Sequence, residues 1–213
     1  MPIHSNEQTA MQVSACVGNR NKGYLFFKRA FDLVASILAV LVLLIPMGIV
    51  ALLIYIESPG PVIYKQERLG LNGKPFMMYK FRSMYLDAEK GGPQWAKIND
   101  PRCTRVGAVI RVWHIDEIPQ FINVIRGEMS IVGPRPERPY FYEEFEKAIP
   151  GFRDRLVVKQ GLTCIGQVNG CYDLTPEKRL AYDREYIEKQ SVWTDIKCIL
   201  KTFLVIFNHK GAR

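Results

Sequence analysis

From Leu33 to Ile56 the chain carries no charged residue. As a helix this run would be roughly 36 Å long, enough to cover a bilayer core of about 30 Å. Pro46 stands near its middle, with Gly48 just behind. A proline inside a helix removes one backbone hydrogen bond and clashes with the preceding turn, so a sharp bend is expected there. Each half would then be roughly 18 Å long, too short to cross. Lys22, Lys28 and Arg29 precede the run, and Lys65, Arg68, Lys74, Lys80 and Arg82 follow it. Positive flanks stay cytoplasmic, so residues 24–57 predict a re-entrant membrane helix-hairpin, with a single kinked span as the alternative. Residues 1–23 are polar and aperiodic and predict a disordered tail, with no cleavable signal peptide. Residues 58–213 predict a cytosolic domain.

Within that domain the periodicity changes repeatedly. Val62–Gln66 and Pro75–Phe81 alternate like strands on either side of Leu71-Asn72-Gly73-Lys74, a hairpin signal. Lys80 and Arg82 alternate with Tyr79 and Phe81, which predicts one basic and one apolar face. Residues 86–100 read as a loop and Arg105–Val112 as a helix. Ile118, Phe121, Ile122, Val124 and Ile125 predict another helix, with Asp116 as its N-cap and Pro119 in its first turn. Glu137–Ala148 reads as an acidic, exposed helix ended by Pro150-Gly151. The segment 157–170 is glycine-rich, with a spacing that fits neither a Walker loop nor a Rossmann fingerprint. Thr175 caps a further helix with Pro176 at its first position. Trp193, Ile196, Leu200, Phe203, Leu204 and Phe207 form a helical stripe that suits a core or an interfacial helix equally. The fold class expected is mixed α/β, mostly α: a re-entrant membrane helix-hairpin plus a small cytoplasmic α/β domain with interfacial amphipathic helices.

The net charge of +8 and pI near 9.3 point to a polyanionic partner: nucleic acid, an anionic membrane face or phosphorylated small molecules. No helix-turn-helix, zinc or aromatic RNA-binding signature is present, and a nucleic-acid protein has no place for the uncharged run, so nucleic acid is set aside. Five cysteines without a CxxC pair argue against both a disulfide framework and a zinc site. The chemistry concentrates in Arg111–Pro136. A carboxylate near a helix start stays ionised, which suits Asp116 and Glu117 to nucleophilic attack or metal binding. Pro134 and Pro136 stiffen the chain on both sides of Arg135, whose planar fork grips phosphate.

DEIPQFINVIRGEMSIVGPRP, at Asp116–Pro136, resembles the signature of the bacterial sugar transferases, the monotopic phosphoglycosyl transferases. KRAFD at Lys28–Asp32, SPGPVIYKQERLG at Ser58–Gly70, YKFRSM at Tyr79–Met84, NDPRCTRVG at Asn99–Gly107 and GLTCIGQVNG at Gly161–Gly170 extend the resemblance over nearly the whole chain. The resemblance implies transfer of a sugar-1-phosphate from a UDP-sugar to polyprenol (undecaprenyl) phosphate, releasing UMP through a covalent aspartyl-phosphosugar. It places this step at the cytoplasmic face of a bacterial inner membrane, first in the assembly of a glycoconjugate such as exopolysaccharide, O-antigen, capsule or glycoprotein glycan. Membrane lipid and both substrates are then the partners; a dimer is allowed but not required. The resemblance makes Asp116 the nucleophile and Glu117 the carboxylate facing Mg2+, with Asp116 beside it. Lys80, Arg82, Arg111, Pro134, Arg135 and Pro136 would bind phosphate, and Asp183 would be an outlying member. The chain departs from the family pattern at Ile165 and Cys171, where tryptophan and arginine are usual. His114 stands where small hydroxyl residues are common and is assigned no role. The alternative is a catalytically inactive, membrane-anchored relative acting as a binding or scaffold protein.

Overall fold

The computed structural model describes residues 22–92, 100–170 and 174–207. Most of the tail expected over 1–23, together with Cys171 and the basic residues Lys210 and Arg213, lies outside them.

Helix α1 (Lys22–Glu57) is long and apolar enough to cross a membrane, and most of its apolar stretch is exposed. It runs through Pro46 without a gap, so the expected break does not divide it into two helices. One lost backbone bond does not by itself end the helix, with the good helix formers Leu43, Leu44, Met47, Ala51, Leu52 and Leu53 on either side of it. Both ends of α1 are fastened to the rest of the fold. Near its start, Tyr24 and Lys28 both bond Asp195 Oδ2 at 2.8 Å, and Arg29 donates to the carbonyls of Val124 and Ile125 at 2.7 and 2.9 Å. Asp32, buried, accepts from the Ile131 N–H at 3.0 Å. Near its end, Ile54 is buried with Phe81 and Ile110.

Strands β1 (Ile63–Leu69) and β2 (Pro75–Phe81) form the expected antiparallel hairpin, with Ile63 opposite Phe81 and Leu69 opposite Pro75. Asn72 and Gly73 turn the chain with φ of 56° and 73°, the left-handed conformation that this dipeptide tolerates. The even-numbered face of β2 is not uniformly basic, as alternation had suggested. Phe76 and Met78 on that face pack in the core with Val124 and Met129, and only Lys80 and Arg82 further along are polar. The strand thus leads from the core to a polar cavity.

Helix α2 (Arg105–Val112) is capped by Thr104, whose side chain accepts from the Gly107 N–H at 2.8 Å. Glu57 adds a second cap from the end of α1, accepting from the N–H groups of Arg105 and Val106 at 2.7 and 2.8 Å. Helix α3 (Gln120–Arg126) follows, closed by Gly127 at φ 82°. Strand β3 (Ser130–Val132) pairs in parallel with β4 (Gly161–Thr163). Between them lie α4 (Pro139–Ala148) and a 3-10 turn over Phe152–Val157. Helix α4 starts later than predicted, and Glu137 is buried rather than part of an exposed helix. Helices α5 (Ile165–Gly170), α6 (Pro176–Glu188) and α7 (Val192–Phe207) complete the chain. Thr175 caps α6 by accepting from the Lys178 N–H, as predicted. On α7 the stripe Trp193, Ile196, Leu200, Phe203 and Leu204 is exposed, while Asp195 and Cys198 face inward; the stripe is not core.

Candidate active site

The acid pair is held by the turn before α3, and not by the cap the sequence suggested. His114 adopts a left-handed conformation (φ 55°), which ends α2 and starts a 3-10 turn over Ile115–Glu117. Pro119 occupies the N-cap position of α3 and makes no side-chain cap bond. Asp116 therefore caps nothing, and the helix dipole is not what sets its charge. Both carboxylates are buried on the floor of a cavity of about 370 Å³. Among its lining residues arginine and lysine outnumber carboxylates eight to four. Lys80, Arg82, Arg111, Arg135 and Pro136 line it with the acid pair, so the structure brings these predicted residues together.

The two acids sit in different surroundings. Glu117 Oε1 accepts from Lys80 Nζ at 2.9 Å, and Arg135 grips both oxygens, reaching Oε2 at 3.1 Å. Burial alone would raise the Glu117 pKa, but Arg135 and Lys80 outweigh it and hold the carboxyl well below the ordinary range. Asp116 has the Lys80 ammonium 3.8 Å from Oδ2 as its sole ion pair among the described residues. Burial, reinforced by the negative charge of Glu117, lifts its pKa above the ordinary value despite Lys80 and Arg111. Glu117 is a locked anion, while Asp116 is desolvated and loosely held.

The rigidity of this floor comes from α3 and its neighbours. Asn123, fully buried, accepts from the Tyr79 N–H at 3.1 Å and donates to the Met77 carbonyl at 2.7 Å, tying α3 to β2. Arg29 satisfies two carbonyls at the C-terminal end of the same helix, where four would otherwise lack partners. The KRAFD segment thus couples α1 directly to the element that follows the acid pair.

The PRP turn is fixed through all three of its carbonyls. Pro134 O accepts from the Gly161 N–H at 2.8 Å, Arg135 O from Arg155 at 2.9 Å and Pro136 O from Arg68 at 3.1 Å. Arg155 is wholly buried and pairs with Asp183 at 2.6 Å. Burial holds the Asp183 carboxyl at about 6 even beside Arg155 and Arg179. Asp183 does not line the cavity; it acts on the site through Arg155 and the Arg135 backbone. Arg82 is buried at the cavity wall with Nη2 bonded to the Ser58 carbonyl, which makes it a strut at the end of α1 as well as a source of charge. Sequence reading passed over Glu137, which is buried in the wall between Arg68 and Arg179. Its one signal was its place directly after PRP.

No cluster of three or more metal-ligating side chains occurs among the described residues. Magnesium is often held by one or two carboxylates together with substrate phosphates, and Asp116 with Glu117 fits that donor set.

A family model described as bacterial sugar transferase matches residues 23–209. A Bacillus subtilis (strain 168) protein is 48% identical over 71% of this chain and 86% of its own length; it carries the provisional name undecaprenyl-phosphate N-acetylgalactosaminyl 1-phosphate transferase. An Escherichia coli (strain K12) UDP-glucose:undecaprenyl-phosphate glucose-1-phosphate transferase is 43% identical over 87% of this chain. An Aeromonas hydrophila UDP-N-acetylgalactosamine-undecaprenyl-phosphate N-acetylgalactosaminephosphotransferase is 40% identical over 89% of it. The chain spans 41% and 46% of the lengths of these last two relatives.

Proposed function

The chain belongs to the bacterial sugar transferase family, and from that premise we propose that it transfers a sugar-1-phosphate from a UDP-sugar to undecaprenyl phosphate. The observation that carries this reading is the unequal acid pair on the floor of a cationic cavity. In the proposed reaction an Asp116 oxygen attacks the phosphorus that bears the sugar. The bond from that phosphorus to the UMP oxygen breaks and UMP leaves. An oxygen of the polyprenol phosphate then attacks the same phosphorus, forms the new diphosphate and frees Asp116.

Each cavity residue has a defined part in this. A diphosphate repels a carboxylate nucleophile, so Arg111, Arg135 and Lys80 supply compensating positive charge in a site partly screened from water. Asp116 is poorly solvated and lightly bonded, so little must be broken before it attacks. Glu117 fixes Arg135 and Lys80 and, with Asp116, would hold magnesium. When bound, that ion would neutralise the donor diphosphate further. The relatives named above differ in their sugar, so the reading extends to the UDP-sugar class and not to one donor.

The apolar helix α1 fits membrane anchoring, and we infer that it is re-entrant with the cavity on the cytoplasmic side. Support comes from the positive charge on both its flanks and from the packing of both its ends on one body. The exposed stripe of α7 suits an interfacial helix in the same arrangement.

The test is a donor screen with Mg2+ and no acceptor. A matching UDP-sugar should release UMP to at most one equivalent and leave a sugar-phosphate mass on the peptide containing Asp116. Asp116→Asn should abolish both. UMP appearing only when polyprenol phosphate is added would overturn the covalent step, and no UMP from any donor would favour a scaffold role.

A further inference from the structure

A second cavity, of about 340 Å³, lies against the first and differs from it in character. Its wall is almost entirely apolar, formed by α1, α7, β4 and the turn that carries the acid pair. Leu43 of the membrane helix stands on one side, with Leu162, Val168 and Phe203 among the residues on the others. Three residues line both cavities: His114, Glu117 and Gln167. The apolar groove therefore leads from α1 to Glu117 and meets the phosphate cavity there, one residue from Asp116.

We propose that this groove seats the hydrocarbon chain of the lipid-phosphate acceptor next to its phosphate, an assignment that rests on the transferase reading above. An acceptor joining an apolar chain to a phosphate needs two adjoining compartments of opposite polarity, and the cavities supply both. Leu43 makes the groove continuous with the segment that fits the bilayer, so the chain enters from the side where the lipid resides. The groove is the size of a pocket for a small ligand and far too small for a whole undecaprenyl chain. It takes the isoprene units closest to the phosphate and leaves the remainder in the membrane. Burying those units at the junction holds the acceptor phosphorus beside Asp116 and converts diffusion in the bilayer into a positioned encounter. His114 is the junction residue: it lines both cavities, and its left-handed backbone turns the chain between them.

The experiment separates the groove from bulk partitioning by using a short acceptor, farnesyl phosphate, with the full chain in detergent. Two variants narrow the groove from opposite walls, Leu162→Trp on β4 and Leu43→Trp on α1. Leu43 lies on the membrane helix, outside the core clusters of the domain, so its replacement keeps the test alive if Leu162→Trp fails to fold. Each folded variant should raise KM for farnesyl phosphate by tenfold or more. The donor-only release of UMP should stay at its wild-type amount and rate, because the donor does not enter the groove. Unchanged KM in every folded variant overturns the assignment and leaves the groove to an acyl chain of the bilayer. A parallel loss of the donor-only step also overturns it, since the groove would then serve the donor. Failure of the wild-type protein to release UMP from any donor would instead strike the transferase reading, and is seen before any variant is made.

Discussion

Glu117 accepts from Arg135 and Lys80, whereas Asp116 is engaged only by Lys80 at 3.8 Å among the described ion pairs, so amide replacements at the two positions should move stability in opposite directions. Glu117→Gln removes the anionic partner of two half-buried cations and should cost about 1.5–3 kcal/mol at neutral pH. Asp116→Asn removes a poorly solvated charge and should leave the melting temperature unchanged or raised, while abolishing transfer. The pH dependence follows from the direction of each shift. The Glu117 pKa is depressed in the folded state, so its contribution is present above the unfolded value and is lost as pH falls through the folded one. The difference between wild type and Glu117→Gln should shrink in acid. The Asp116 pKa is raised, so its neutral form favours folding below the unfolded value and that benefit is lost as pH rises through the folded value. The gain from Asp116→Asn should therefore appear only at the higher pH, in thermal melts of the detergent-solubilised protein. An ionised nucleophile also places the acid limb of kcat/KM for the donor above the ordinary aspartate value of 3.8. Arg135→Lys keeps the charge and loses the two-pronged grip on Glu117. Turnover should fall roughly 10²-fold or more, with little change in melting temperature beyond the loss of the ion pair.

Parallel pairing of β3 with β4 brings Gly133 and Gly161 into backbone contact. A Cβ on Gly161 would stand 2.1 Å from the Gly133 nitrogen, and one on Gly133 would stand 2.3 Å from the Lys159 carbonyl oxygen. Backbone cannot swing aside as a side-chain tip can, so Gly161→Ala must spread the strands and shift the PRP turn bonded to them. The expected loss is about 1–3 kcal/mol in stability. Transferase activity should drop much more than the melting temperature, since Arg135 moves with the turn. Equal modest effects on both would mean that the turn tolerates the shift. Neither strand was legible in the sequence: each has three residues, and their partners lie some thirty positions apart, where periodicity carries no information. The β1–β2 hairpin, the cap at Thr175 and the Asn72-Gly73 turn were legible in whole or part, because the residues that decide them are neighbours. Asp116 was misread as a cap for the same local reason. Asp before an apolar run fits a cap, but the N-cap of α3 is Pro119, three residues later, which leaves the acids on a separate turn. The site itself was visible as a set of residue types, and their pairing was not. That Arg135 binds Glu117, or that Asp183 acts through Arg155, depends on long-range packing that no local pattern encodes.

At the scale of the whole molecule, the question is how a 36-residue helix and a cationic cavity share one chain. A straight helix of that length would run roughly 54 Å, nearly twice the diameter of a small domain. Yet Lys28, Arg29 and Asp32 are tied to α7, α3 and β3, while Ile54 and Glu57 are packed against β2 and α2. Two ends docked on one body support the proposed re-entrant course, in which the exposed middle, including Leu41, Val42 and Ile45, would lie in lipid. Basic residues on both flanks favour the same side for both ends. Single cysteines placed near residue 20 and near residue 72, in a background without the native cysteines, should both be shielded from an impermeant thiol reagent in intact cells and both react after permeabilisation. Labelling at one end alone would establish a span and remove the re-entrant reading. Replacing Pro46 with leucine restores the missing backbone bond and relieves the clash that favours bending. In Pro46→Leu the site near residue 20 should then become accessible in a fraction of molecules, because the straightened helix is long enough to cross. Those molecules would lose the bonds from Arg29 to α3, so transferase activity should fall in proportion to the accessible fraction.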